Sequence, residues 1–94
     1  MAEAAAEDQG VLLGDLKRLI IKACNRPESP DTLDDDAELI GPGSPLGLDS
    51  LDVLQVSLAL TQQYQIRLED SKEARRALRS VRALALFLRA QGVV

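Results

Sequence analysis

All four prolines of the chain, Pro27, Pro30, Pro42 and Pro45, fall between residues 25 and 48, with three of its six glycines, Gly41, Gly43 and Gly47. Proline fixes φ and removes a backbone donor, while glycine adds conformational freedom, so no element longer than a turn or two runs through this stretch. The chain is split into a piece before residue 25 and a piece after residue 48, joined by an unusually long connection. Long connections inside small domains are often functional. The apolar residues Leu33, Leu39, Ile40, Leu46 and Leu48 predict a crossover pinned to a core.

On both sides of the crossover the hydrophobic spacing is helical. From Val11 to Cys24, Leu12, Leu16, Leu19, Ile20 and Ala23 recur with Asp15, Lys17, Arg18 and Lys22 between them, the mark of a one-faced amphipathic helix that Gly14 weakens slightly. Residues 1–9 read as a flexible N-terminal tail, and residues 10–92 as the folded domain. A second helix is predicted from about Ser50 to Tyr64 and a short, Ala/Arg-rich third from Ser71 to Leu78. Ser80 is placed to cap a last helix from Val81 to about Gln91, and Gly92 to stop it. No strand pattern appears. The fold class expected is all-α, a four-helix bundle with a long loop between helices 1 and 2 and a short third helix.

Ninety-four residues support one domain with a small core. Tyr64 and Phe87 are the only aromatic residues, so that core must be aliphatic and mobile. Histidine is absent and Cys24 is the sole cysteine, which excludes metal sites built on Cys/His spacing and argues against a disulfide scaffold. Cys24 ends an apolar helical pattern and reads as a small buried hydrophobe, in keeping with a reducing compartment. No apolar run is long enough to span a membrane, and the opening MAEAAAEDQG is unlike a secretory signal. A cytoplasmic, monomeric protein is the expectation.

The net charge of −4 hides an asymmetry. Residues 1–66 hold 12 acidic and 4 basic side chains, net −8, and residues 67–94 hold 3 acidic and 7 basic, net +4. Acidity is densest at Asp31, Asp34, Asp35, Asp36 and Glu38, and basicity at Lys72, Arg75, Arg76, Arg79 and Arg82. Solvated faces account for such clusters in most proteins.

The second helix carries more apolar surface than one face can hold. At 100° per residue, Val53, Val56, Leu60 and Tyr64 form one stripe, and Leu51, Leu54 and Leu58 another on nearly the opposite side. Either the helix is central and buries both, or the Leu51-Leu54-Leu58 stripe is exposed and awaits a partner. The first stripe is the better core candidate. The second begins beside Ser50.

Ser50 opens that helix, and an N-cap role shared with Asp49 is its simplest reading. A nucleophilic serine needs a base, and without histidine the neighbouring Asp49 and Asp52 are poor substitutes. No set of residues here performs chemistry unaided, so the protein is not expected to be an enzyme. Ser50 is instead suited to accept a group transferred by another enzyme. A phosphodiester there would lie at a helix N-terminus, where the dipole and open N–H groups favour an anion.

The run Gly47-Leu48-Asp49-Ser50-Leu51-Asp52, an apolar helix ending in Tyr64, a short helix over Ser71 to Leu78 and a final apolar one over Val81 to Gln91 resemble a stand-alone acyl carrier protein. The resemblance covers about Leu46 to Gln91, and loosely extends from Val11. It implies that Ser50, flanked by Asp49 and Leu51, carries a covalent 4′-phosphopantetheine arm drawn from coenzyme A. The thiol of that arm would hold acyl intermediates as thioesters for fatty-acid or polyketide-type biosynthesis. The acyl chain would slip between helices of the aliphatic core. The implied partners are a phosphopantetheinyl transferase and ketosynthase, acyltransferase or ligase enzymes, met by Asp52, Leu54, Gln55 and Leu58.

Family members carry several glutamates along the second helix, where this chain has only Asp52, with Gln55, Thr61, Gln62 and Gln63 in typical carboxylate positions. That departure points to a dedicated partner set. The preceding Leu39-Ile40-Gly41-Pro42-Gly43-Ser44-Pro45 is similar to carriers of specialised polyketide or aryl-polyene-type pathways. The alternative is a helical adaptor that binds a protein partner through the Leu51-Leu54-Leu58 stripe and carries no prosthetic group. Nucleic-acid binding through the basic cluster ranks last, because one short helix carries most of it, no aromatic stacking residues accompany it and the overall balance is acidic.

Overall fold

A computed structural model describes residues 2–68 and 70–92, and the side chains within this range except those of residues 2–9 and Ser71. The fold is all-α. The described residues form four helices, α1 (Ala2–Ala23), α2 (Ser50–Tyr64), α3 (Ser71–Ala77) and α4 (Val81–Ala90). Helix α1 packs on α4 and α2, and the short α3 closes on α2 and α4. A single 3-10 turn, Pro30–Thr32, interrupts the crossover. The bundle expected from sequence is the bundle observed.

Helix α1 begins nine residues earlier than Val11, where the apolar pattern starts. Residues 2–9, expected as a tail, have helical backbone. Chain ends commonly fray, but alanine, the best helix former, fills four of positions 2–6 and lets the helix propagate N-terminally. The other end is a Schellman-type stop. Asn25 is left-handed (φ 52°), Arg26 N–H donates to the Ile21 carbonyl, and Asn25 N–H to that of Lys22.

Among the described residues the buried core is aliphatic apart from Cys24. Leu16 and Ile20 of α1, Val56 and Leu60 of α2, and Leu84 and Leu88 of α4 are fully buried. Tyr64 and Phe87 are only partly buried at its margin. The crossover contributes Leu33, Leu39, Leu46 and Leu48 to the same core, which pins it as the apolar pattern predicts. Charge reinforces the attachment. Lys17 of α1 pairs with Asp35 at 2.6 Å, and Arg82 of α4 donates from Nε to Asp36 at 2.6 Å. The Arg82 backbone N–H also donates to the Asp35 carbonyl at 2.9 Å.

The last part of the crossover closes on itself just before α2. Leu48 N–H donates to the Leu39 carbonyl at 2.9 Å and Gly41 N–H to the Leu48 carbonyl at 3.1 Å, an isolated bridge between Ile40 and Leu48. Gly41 (φ 101°) and Gly47 (φ 60°) make the reversals, in a region that side-chain-bearing residues rarely adopt. The chain therefore leaves the core at Leu48 in a fixed direction, and two residues later Ser50 starts α2.

Candidate functional site

The start of α2 is capped by Asp49, not by Ser50. The Asp49 carboxylate accepts from Asp52 N–H at 2.9 Å, and the Asp52 carboxylate accepts from Asp49 N–H at 3.2 Å, a reciprocal capping box. The cap shared with Ser50 that the sequence suggests is thus corrected. Asp49 already holds the Asp52 donor, so Ser50, the first helical residue, is exposed with its hydroxyl free of capping duty. Donation from backbone N–H groups, that of Asp52 foremost, holds the Asp49 carboxyl below the usual carboxylate range. An anion so engaged makes a poor base for a hydroxyl.

Among the described residues the hydroxyl has one polar partner from elsewhere in the fold. Arg75 Nη2, on α3, donates to Ser50 Oγ at 2.8 Å across 25 residues of sequence. Buried Ala74 and Ala77 seat α3 on the core, and Asp70 caps it by accepting from Glu73 N–H at 2.7 Å. Arg75 remains solvent-exposed. Ser50 and Arg75 border a groove of about 370 Å³ whose other wall is the crossover segment from Ile40 to Pro42.

The apolar stripes of α2 separate cleanly. Val53, Val56 and Leu60 are buried and Tyr64 is half-buried, whereas Leu51, Leu54 and Leu58 are 61%, 54% and 55% exposed. Only Val11 and Leu86 are comparably exposed large apolar residues among the described ones, so three of five stand in one row descending from Ser50. Exposed leucines scattered singly need no explanation, but a row does. Gln55 lies exposed alongside, and Asp52 is half-buried at the head of the row. Leu54 and Leu58 also border a groove of about 510 Å³ with Ser57, Thr61, Arg67 and Leu68.

The two charge clusters of the sequence prove to be partly each other's partners. Arg82 bridges to Asp35 and Asp36, and Asp36 raises its already high pKa. Arg76 and Arg79 line one groove with Asp36 and Glu38. Arg75 alone of the five basic residues is directed at Ser50 by a hydrogen bond. Arg82 is thus committed to loop attachment and Arg75 to the serine.

Two contributors have no mark in the sequence pattern. Arg75 stands there only as one of five cations, since the packing of α3 against the start of α2 has no local signature. Ser44 has no assigned role there, yet its Oγ accepts from Gly47 N–H at 2.8 Å and lies within donating distance of the Gly41 and Leu39 carbonyls, at 2.8 and 3.0 Å. It ties together the loop that delivers Ser50. The Pro-Gly-Ser-Pro run around it carries the turn signal. Cys24 is buried as expected. Burial and then the charge of Asp52 push its thiol up to about 11, leaving it protonated and inert at neutral pH.

No group of three or more metal-ligating side chains occurs among the described residues, and no described helix is long and apolar enough to cross a membrane. No protein-family model matches the chain, and neither the curated proteins nor the solved structures give a match.

Proposed function

We propose that the protein is an acyl carrier, with Ser50 the attachment point of a 4′-phosphopantetheine arm. The observation that carries this reading is a serine exposed at the first position of a long helix whose capping is done by its neighbours Asp49 and Asp52. Capping, the ordinary reason for a serine there, does not account for Ser50. The site suits such a group: the hydroxyl is accessible, a cation touches it and a groove opens beside it. When bound, the arm would supply a thiol on which acyl groups ride as thioesters.

The chain's own residues have limited and distinct parts in this scheme. Ser50 Oγ forms the new bond to the phosphorus next to the pantetheine of coenzyme A. The pyrophosphate linkage breaks and adenosine 3′,5′-bisphosphate leaves. The serine proton goes to a base of the phosphopantetheinyl transferase, because Asp49 is occupied as a cap and the chain has no histidine. Asp49 and Asp52 fix the first turn of α2, and the buried stripe below holds its axis. Leu51, Leu54 and Leu58 offer apolar contact to whichever ketosynthase, acyltransferase or ligase approaches the serine, with Gln55 and Asp52 at the edge. The dearth of carboxylates on this face favours dedicated partners over a general fatty-acid set, since steering by complementary charge is weak here.

Intact-mass analysis after incubation with coenzyme A and a phosphopantetheinyl transferase tests the reading. The wild type gains one arm and Ser50→Ala gains none. A wild type left unmodified under conditions that load a known carrier sinks it. The exposed Leu51-Leu54-Leu58 row supports one other reading, a helical adaptor with no prosthetic group, for which partner binding would survive Ser50→Ala.

A further inference from the structure

We infer that Arg75 is the phosphate-pairing residue of the Ser50 site, the counter-charge for the phosphodiester of an arm carried on Oγ. The inference rests on the carrier reading above and adds to it a residue that the attachment motif does not contain.

The N-terminus of α2 supplies only part of what an anion there requires. An anion at the start of a helix is ordinarily stabilised by the dipole and by free N–H groups. Here the N–H groups of Asp49 and Asp52 are already bonded to carboxylates, and two ionisable acids flank the serine. A phosphodiester on Ser50 therefore meets like charge close at hand, with the first-turn donors partly spent. An external cation is needed, and Arg75 is already placed. Its Nη2 donates to the oxygen that would become the ester oxygen, so a negatively charged phosphorus group would form within reach of the same guanidinium. Arginine presents several donors in one plane, matching the paired oxygens of a phosphate, and a donor to an anion is stronger than one to a neutral hydroxyl. The position is also held. Asp70 caps α3 and Ala74 and Ala77 are buried, which sets Arg75 on the side facing α2 and the Ile40–Pro42 wall of the groove. The other end of the basic cluster is committed elsewhere, since Arg82 is bound to Asp35 and Asp36. Because Arg75 is exposed, the pairing must weaken with added salt.

Arm-free and arm-loaded forms of the wild type, Arg75→Gln and Arg75→Lys decide the matter, read by arginine side-chain 15N–1H NMR and by thermal melting at low and high salt. Loading should shift the Arg75 Nε–Hε resonance of the wild type. It should also change the melting temperature more favourably in the wild type than in Arg75→Gln, with Arg75→Lys between them, and the gap should shrink at high salt. An unmoved Arg75 resonance with equal melting changes in all three, in proteins shown by mass to be loaded, overturns phosphate pairing and leaves the carrier reading intact. A wild type that cannot be loaded where a known carrier is loaded overturns both. Should the transferase refuse Arg75→Gln, the wild-type resonance decides alone: a shift on loading supports the pairing and an unmoved signal overturns it.

Discussion

Asp49 and Asp52 each accept a hydrogen bond from the other's backbone N–H, and this reciprocal pair releases Ser50 from capping duty at the head of α2. Removing the cap and removing the serine should therefore have unequal effects on stability. Ser50→Ala is expected to melt within experimental error of the wild type, because an exposed hydroxyl whose bond is to a solvent-exposed arginine stabilises little. Asp49→Ala should lower the melting temperature by several degrees, and Asp49→Asn, an equally good cap residue, should restore most of it. The sign with pH follows from the depressed Asp49 pKa. A carboxyl held below its ordinary value of 3.8 in the folded state stabilises the fold above that value, and the contribution is lost as pH falls below it. Acid melts of the wild type and Asp49→Asn should converge in that range. Ser50→Ala melting as low as Asp49→Ala would mean the serine is a cap after all.

Leu54 and Leu60 lie six residues apart on one helix and should respond oppositely to substitution. Leu54→Asp changes a side chain that is more than half exposed, so denaturant unfolding should move by no more than about 0.5 kcal/mol. Leu60→Ala empties a fully buried position and should cost about 2–5 kcal/mol. Transfer of an acyl group from a partner enzyme should show the reverse ranking, with Leu54→Asp impaired although folded. A Leu54→Asp domain that loses its helical circular dichroism would make the outer row part of the core.

Which features the sequence discloses follows from the range over which each is encoded. Helices α2 and α4, the Ser80 cap, the Gly92 stop and the Val53-Val56-Leu60 stripe depend on neighbours within about a turn, and periodicity and caps reveal them. The crossover is legible as punctuation, and its buried leucines as the pins. The ownership of the α2 cap is not legible, because Asp49 and Ser50 are both good cap residues and only backbone geometry separates them. Arg75 reaching Ser50, and Arg82 reaching Asp36, join residues 25 and 46 positions apart. No local rule predicts such pairs. Arg82 joins the acidic cluster at Asp35 and Asp36 once α4 is packed beside the crossover.

Ser44 and Gly47 set the direction from which the chain enters α2. The Ser44 hydroxyl accepts from Gly47 N–H and has one proton to offer to the Gly41 or the Leu39 carbonyl. Ser44→Ala should cost about 1 kcal/mol, the usual loss for a partly buried hydrogen bond, and should speed amide exchange at Gly47 and Leu48. Gly47→Ala places a side chain at φ 60°, a strained conformation for alanine, although its Cβ would meet only the Gly41 carbonyl oxygen at an ordinary 3.7 Å. The penalty should thus be one of backbone strain, relieved in part by Gly47→Asn, which tolerates the left-handed region better. Equal destabilisation by alanine and asparagine would point to crowding instead.

Cys24 provides a chemical readout of core integrity. Burial and the nearby Asp52 charge push its thiol up to about 11 from an ordinary 9.0. At pH 8 the thiolate population should be about a hundredfold below that of an unfolded cysteine, and alkylation correspondingly slow. In denaturant the rate should rise to that of a free thiol. The raised pKa also fixes a sign for stability: the protonated thiol favours the folded state fully below pH 9, and the contribution fades as pH rises towards 11. Tyr64, whose pKa burial also raises, titrates in the same direction. Cys24→Ala should accordingly flatten the alkaline end of the stability profile while leaving the Tyr64 share. Rapid alkylation of the folded wild type at pH 8 would show the thiol to be open to solvent and the α1–α2 contact around it loose.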